Sequence, residues 1–213
     1  MKSQKESQPK RMFQNPILET LSISGPKMMS SFHAIIISLL LYIGSSKNPS
    51  LNWALGILLF ASAMLTWTLA EYTLHRYVFH FIKDDSKLVK AFHYTLHGYH
   101  HQVPDDANRL FMPPLPAIII LSLFLGFFYL LMQDLSWIFL AGFDTGYLLY
   151  SWVHYSVHTR KGPSFLKPLW KHHYLHHYKY PEKAFGVSSR LWDRIFYTMP
   201  PQGPSGPSNV KVS

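Results

Sequence analysis

The sequence predicts an all-α integral membrane protein. It has about four transmembrane helices in two hairpins, and a cytoplasmic-side helical cap holding a His-rich dimetal site. Three observations predict this. Apolar stretches recur at about 31–46, 51–70, 114–132 and 135–153, paired by very short connections. Of the 20 Lys and Arg residues, 19 fall on one side of a four-pass chain. Ten of the 13 histidines fall into four tight clusters, HRYVFH, LHGYHH, HYSVH and HYLHH, three of them beside apolar stretches.

The 213 residues suggest one domain by length. Residues 1–30 form a polar arm with Lys2, Lys5, Lys10 and Arg11, broken by Pro16 and by the SGP at 24–26. The first apolar run starts too late for a cleavable signal peptide. The stretch at 31–46 is short for a bilayer core that needs roughly 20 residues, so tilt, local thinning or extension into flanking residues is expected. The second stretch, SLNWALGILLFASAMLTWTLA, and the third, LPAIIILSLFLGFFYLLM, are long enough. The fourth contains Asp144 and runs into HYSVH. Five basic residues lie in the arm, five in 71–113 and nine in 154–213, against Lys47 alone in the two hairpin connections. The positive-inside rule then puts both termini and every histidine cluster in the cytoplasm. The functional region is 31–200, and the tail, 201–213, is flexible by composition. The net charge of +9 is accounted for by this topology, and nucleic-acid binding is not implied.

The clusters carry the chemistry. Imidazole is the commonest side-chain ligand of first-row metals. His97, His100 and His101 are spaced i, i+3, i+4, as are His173, His176 and His177, so each set shares one helical face. His154 and His158 are i, i+4. His75 and His80 are five apart, about 140° around a regular helix, so they reach different metals unless the helix ends between them. Ten imidazoles are too many for one ion and suit two, each with about five ligands and a position for oxygen or water. A lone buried histidine such as His33 is expected to hydrogen-bond a neighbour. His93 and His172 adjoin the clusters and are candidates to hold a ligand ring, as are the carboxylates of Glu71 and Asp193. The bland role of Glu71 is to pair with Arg76 or Lys83. With no cysteine, thiolate sites and disulfides are excluded. An all-nitrogen site suits zinc, copper, iron or nickel, and attack on an unactivated lipid C–H bond needs a redox metal and oxygen. Trp67, Tyr72 and Tyr150 are candidates to line a lipid slot, their bland role being interfacial aromatics.

The stretches AEYTLHRYVFH, LHGYHHQVPDDANRLFMPP, YSWVHYSVH and HYLHHYKYPEKAFGVSSRLWDRIFYTMP resemble the fatty acid 2-hydroxylase branch of the sterol desaturase/fatty acid hydroxylase superfamily, over about residues 67–200. The resemblance implies a membrane-embedded dimetal site whose ligands are His75, His80, His97, His100, His101, His154, His158, His173, His176 and His177. It implies two iron ions, for which zinc may substitute in a preparation, with dioxygen as co-substrate. It implies insertion of one oxygen atom at carbon 2 of a fatty acyl chain, free or held in a sphingolipid. Many relatives carry a cytochrome b5 domain; its lack here implies a separate electron donor, a cytochrome b5-like protein, ferredoxin or reductase. The family often has Asp where Ser151 stands, a departure that bears on substrate handling. The chain would reside in the endoplasmic reticulum or a bacterial inner membrane. The rival readings are a sterol or carotenoid enzyme of the same superfamily, a non-enzymatic metal protein, and a zinc hydrolase. Transport is disfavoured because the ligands cluster at one face, and hydrolysis because no carboxylate lies within the histidine motifs.

Overall fold

The computed structural model describes residues 11–80, 86–159 and 161–201. The start of the arm, Lys83 and the tail expected to be flexible lie outside these. Every regular element among the described residues is helical: α1 (Pro16–Leu21), α2 (Pro26–Lys47), α3 (Trp53–Leu74), α4 (Lys87–His93), α5 (Tyr99–Gln102), α6 (Pro114–Met132), α7 (Ser136–Thr159), α8 (Lys167–Tyr178) and α9 (Leu191–Ile195). Two π-helical turns, His75–Phe79 and Tyr94–Gly98, interrupt them.

Local chemistry sets the boundaries. Pro26 opens α2 where a missing N–H costs nothing, five residues before the apolar stretch. The 22-residue α2 is therefore about 33 Å long, enough to span. Asn52 caps α3 by accepting from the Ala54 N–H at 2.8 Å. Three helical runs are long and apolar enough to cross a membrane: Pro26–Lys47, Trp53–Phe79 and Ala107–Thr159. The third is folded in two. Gln133 takes φ 50° and reverses the chain. The ring pairs Phe128–Phe139 at 4.8 Å and Phe124–Phe143 at 4.6 Å then run in opposite order, so α6 and α7 are antiparallel.

Helix α7 is the centre, and α2, α3 and α6 all pack on it. Gly44 lies against Ile138, and Trp152 Nε1 donates to Ser30 Oγ at 3.1 Å, so α2 runs antiparallel to α7. Between these contacts His33 Nδ1 donates to Asp144 at 2.8 Å, which gives the buried carboxylate a partner within an apolar helix pair. This is the neighbour anticipated for a lone histidine. Gly142 meets the Phe60 backbone and Gly146 meets Trp67, so α3 runs parallel to α7. The starts of α2 and α6 and the ends of α3 and α7 thus share one side of the bundle. The arm is fastened there too: Arg109 binds Glu19, Asp106 and the Ser22 hydroxyl.

Candidate metal centre

All four histidine clusters converge on that side, and they sort into two groups of five. One is His75, His80, His97, His101 and His176; the other is His100, His154, His158, His173 and His177. Within each group the ligand-capable nitrogens lie within 4.8 Å of one another. Every tight triplet is split. His97 and His101 enter the first group while His100 enters the second; His173 and His177 enter the second while His176 crosses to the first. The i, i+4 members stay together and the i+3 (or i+1) member, rotated around the helix, reaches across.

His75 and His80 join the same group, which corrects the expectation that a regular helix sends them to different metals. The helix neither stays regular nor ends. It widens into a π-turn in which the His80 N–H bonds the His75 carbonyl at 3.2 Å, so residues five apart come to one face. Single π-turns recur at functional sites.

Nε2 atoms meet at short range: His75–His97 3.0 Å, His97–His101 3.0 Å and His80–His176 2.9 Å in the first group. In the second they are His100–His154 3.0 Å, His100–His177 3.0 Å, His173–His177 2.9 Å and His158–His173 3.1 Å. A metal about 2.1 Å from two nitrogens at right angles sets them about 3.0 Å apart, whereas tetrahedral placement needs about 3.4 Å. The spacings are short enough for the rings of each group to share one metal ion. His101 stacks on His177 at 4.2 Å, so the two groups adjoin.

Tautomers follow from the other ring nitrogen. His75 Nδ1 donates to the Phe185 carbonyl at 2.5 Å, and His176 Nδ1 donates to the Lys183 carbonyl at 2.7 Å. Each Nε2 therefore offers a bare lone pair. Burial pushes the rings of the cap toward neutrality, alone at His101 and with neighbouring imidazoles adding to it at the others. His80 and His101 are lowered to about 4, His176 to about 3, and His97, His100 and His173 well below the usual range. Neutral imidazole is the form that binds metal.

The carboxylates act one step behind the rings. Glu71 and Asp193 orient no imidazole of the two groups, and Glu71 does not pair with Arg76. Glu71 accepts from the backbone N–H groups of Val187 and Ser188. Asp193 accepts from Phe185 N at 2.9 Å, Gly186 N at 2.8 Å and Thr198 Oγ1 at 2.7 Å. Both clamp the loop 184–188, whose Phe185 carbonyl holds His75. Burial pushes the Asp193 carboxyl up, but the hydrogen bonds from His172, Thr198 and Gly186 outweigh it and hold it below its usual range. His172, expected to hold a ligand ring, instead donates to Asp193 at 2.9 Å. His93 Nδ1 has no hydrogen-bond partner among the described residues, so it holds no ring by that atom.

The aromatic candidates divide as well. Trp67 and Tyr72 are buried, which rules out an interfacial role. Trp67 packs on Phe143, Tyr147 and Tyr150. The Tyr72 hydroxyl meets Thr198 Oγ1 at 2.9 Å and accepts from Arg76 at 2.8 Å, fastening the C-terminal segment. Tyr150 lies parallel to His154, centroids 5.7 Å apart. Ser151 Oγ donates to the Tyr147 carbonyl of its own helix at 3.0 Å. Sequence reasoning missed the Phe185 and Lys183 carbonyls, because backbone acceptors leave no residue-type signature.

Comparison with known proteins gives a family and a fold. The family described as fatty acid hydroxylase matches residues 60–198. A fatty acid 2-hydroxylase of Rattus norvegicus is 39% identical over 149 residues, 68% of this chain. The chain spans 40% of that protein's length. A dihydroceramide fatty acyl 2-hydroxylase of Arabidopsis thaliana is 36% identical, covering 89% of this chain and 80% of its own. The visible hydroxylase domain in a structure of full-length scs7p superposes with a TM-score of 0.79 at 34% identity, covering 92% of this chain and 73% of that one.

Proposed function

Because this chain belongs to the fatty acid hydroxylase family, we propose that it is a membrane-bound hydroxylase acting at C2 of a fatty acyl chain, free or in a ceramide-type sphingolipid. The observation that carries the reading is the pair of five-imidazole groups at one end of an apolar bundle. His75, His80, His97, His101 and His176 would hold one iron, and His100, His154, His158, His173 and His177 the other. When bound, the metal pair supplies the activation of dioxygen that lets one oxygen atom enter an unactivated C–H bond.

The chain's own residues do the rest. The Phe185 and Lys183 carbonyls fix two rings as Nδ1–H tautomers, with Nε2 turned inward. Glu71 and Asp193 keep the loop bearing Phe185 in place, so the rings are held before metal arrives. Aromatic packing of Trp67, Tyr147 and Tyr150 beside His154 excludes water and offers an apolar wall for the acyl chain. With Ser151 turned to its own backbone, Tyr150 is the stronger candidate for contact with substrate. The basic-residue asymmetry supports four passes, both termini and the centre on the cytoplasmic side, in the endoplasmic reticulum or a bacterial inner membrane. Two electrons per turnover come from a reductant outside the hydroxylase domain.

Mass spectrometry of total lipids from cells expressing the chain, with reductase and iron supplied, tests the activity. Acyl chains gaining one oxygen at C2, absent with His97→Ala, are expected. Oxygen on a sterol or carotenoid, or no oxygenated lipid with all components present, would overturn the reading.

A further inference from the structure

Helix α8 carries histidines on one face and something different on the other. Its inner stripe is Trp170, His173, His176 and His177. Trp170 Nε1 donates to Ser156 Oγ at 3.0 Å near the end of α7. His173 meets His158 at 3.1 Å, and His176 meets His80 at 2.9 Å just past the π-turn that follows α3. Helix α8 thus bridges the ends of the two parallel helices α7 and α3, and supplies rings to both groups of five.

The opposite stripe is Lys167, Lys171, Tyr174 and Tyr178, at i, i+4, i+7 and i+11, one face of a helix. Both lysines are exposed, and Tyr174 and Tyr178 are 49% and 59% exposed with rings 4.6 Å apart. No carboxylate among the described residues forms an ion pair with Lys167 or Lys171. Between His154 and Pro181 the sequence has no Asp or Glu, against Arg160, Lys161, Lys167, Lys171 and Lys179. Because the inner stripe faces the ends of α3 and α7, this outer stripe points away from the helices that carry the apolar spans. Turned away from the apolar spans, an aromatic pair flanked by lysines offers charge complementarity to an acidic protein surface.

The proposed reaction consumes electrons. R–H + O2 + 2 e⁻ + 2 H⁺ gives R–OH + H2O. A C–H bond and the O–O bond break, a C–O bond and O–H bonds form, the carbon is oxidised, and the second oxygen leaves as water. The two electrons must come from outside.

We infer that the Lys167–Lys171–Tyr174–Tyr178 face of α8 is the docking surface for an acidic one-electron carrier protein, which reduces both metal centres through the helix that bears His173, His176 and His177. The inference rests on the hydroxylase reading for the direction of electron flow. The geometry favours it: a helix with its side chains is about 10–12 Å across, so a carrier on the outer face comes within one helix of both groups.

The test separates docking from activity. Binding of the acidic soluble haem domain of a cytochrome b5 is measured to the metal-free full chain in neutral-lipid nanodiscs. The Lys167→Glu/Lys171→Glu variant is compared with wild type and with Lys47→Glu on the far side. Affinity falling about tenfold in the double variant only, and falling with added salt, is expected. With iron restored, the double variant should raise the carrier KM, while the yield of a single turnover stays unchanged when the chain is reduced anaerobically with dithionite, freed of excess and then given oxygen. Equal binding by all three proteins would overturn the docking surface. So would dependence of the two lysines' effect on anionic lipid in the disc, which would reassign the face to the membrane surface. If wild type reduced with dithionite, freed of excess and then given oxygen makes no hydroxylated lipid while binding still depends on the two lysines, the hydroxylase reading fails and the docking surface stands.

Discussion

Asp193 shows how much of the site is carried by residues that never reach it. Its carboxylate accepts from two backbone N–H groups, from Thr198 and from His172, and is fully buried. Ala184, next to the carbonyl that holds His75, sits at φ 59°, an uncommon conformation for a non-glycine residue that this clamp sustains. Asp193→Ala leaves several buried donors without acceptors, at about 1–3 kcal/mol each. The variant is expected to unfold at markedly lower temperature and to retain less metal, read by thermal unfolding and metal analysis. Wild-type values in both would show that the loop holds itself. The histidines of the two groups were legible from spacing because imidazoles at i, i+3 and i+4 have few other reasons to recur. The partners of the carboxylates were not legible, since Glu71 and Asp193 bind backbone groups brought near by the tertiary fold. The same holds for His172, which was recognised as a supporting residue but supports Asp193.

At the level of elements, the apolar stretches foretold the four long helices, with ends displaced by up to six residues, and Pro26 and Asn52 explain two of the starts. The π-turns were not foretold. A π-turn has no residue-type signature, and only the five-residue interval between His75 and His80 hinted that a regular helix fails there. The position of α7 was also hidden. A buried central helix and a peripheral span have similar hydropathy, and what distinguishes α7 is small residues where neighbours come close. A Cβ at Gly142 would lie 2.2 Å from the Phe60 carbonyl oxygen of α3. Overpacking typically costs about 1–3 kcal/mol, and a backbone obstacle cannot rotate away. Gly142→Ala is therefore expected to force α3 from α7, moving His75 and His80 away from His154 and His158. Lower thermal stability together with reduced metal content is the expected result. An unchanged melting temperature would mean the two helices do not pack as closely as described.

The whole molecule is a bundle that brings four separated clusters to one end, with a cap that closes over them. The histidine positions made that convergence legible in the sequence, and 19 of the 20 Lys and Arg residues lie on the same side of a four-pass reading. The sorting of rings into groups was not legible, since it depends on how α5, α7 and α8 meet in space. The absence of cysteine makes topology directly testable. Lys161→Cys and Lys47→Cys in sealed vesicles of known orientation should react with an impermeant maleimide from opposite sides, and reaction from one side would refute the four-pass arrangement. The central claim is that ten histidines form two five-imidazole metal centres, and counting metals tests it most directly. The purified chain, loaded with iron and freed of excess, should contain two ions. His75→Ala should lose one, His158→Ala the other, and the double variant both. One ion in the wild type, or His75→Ala and His158→Ala each losing the same single ion, would contradict the account.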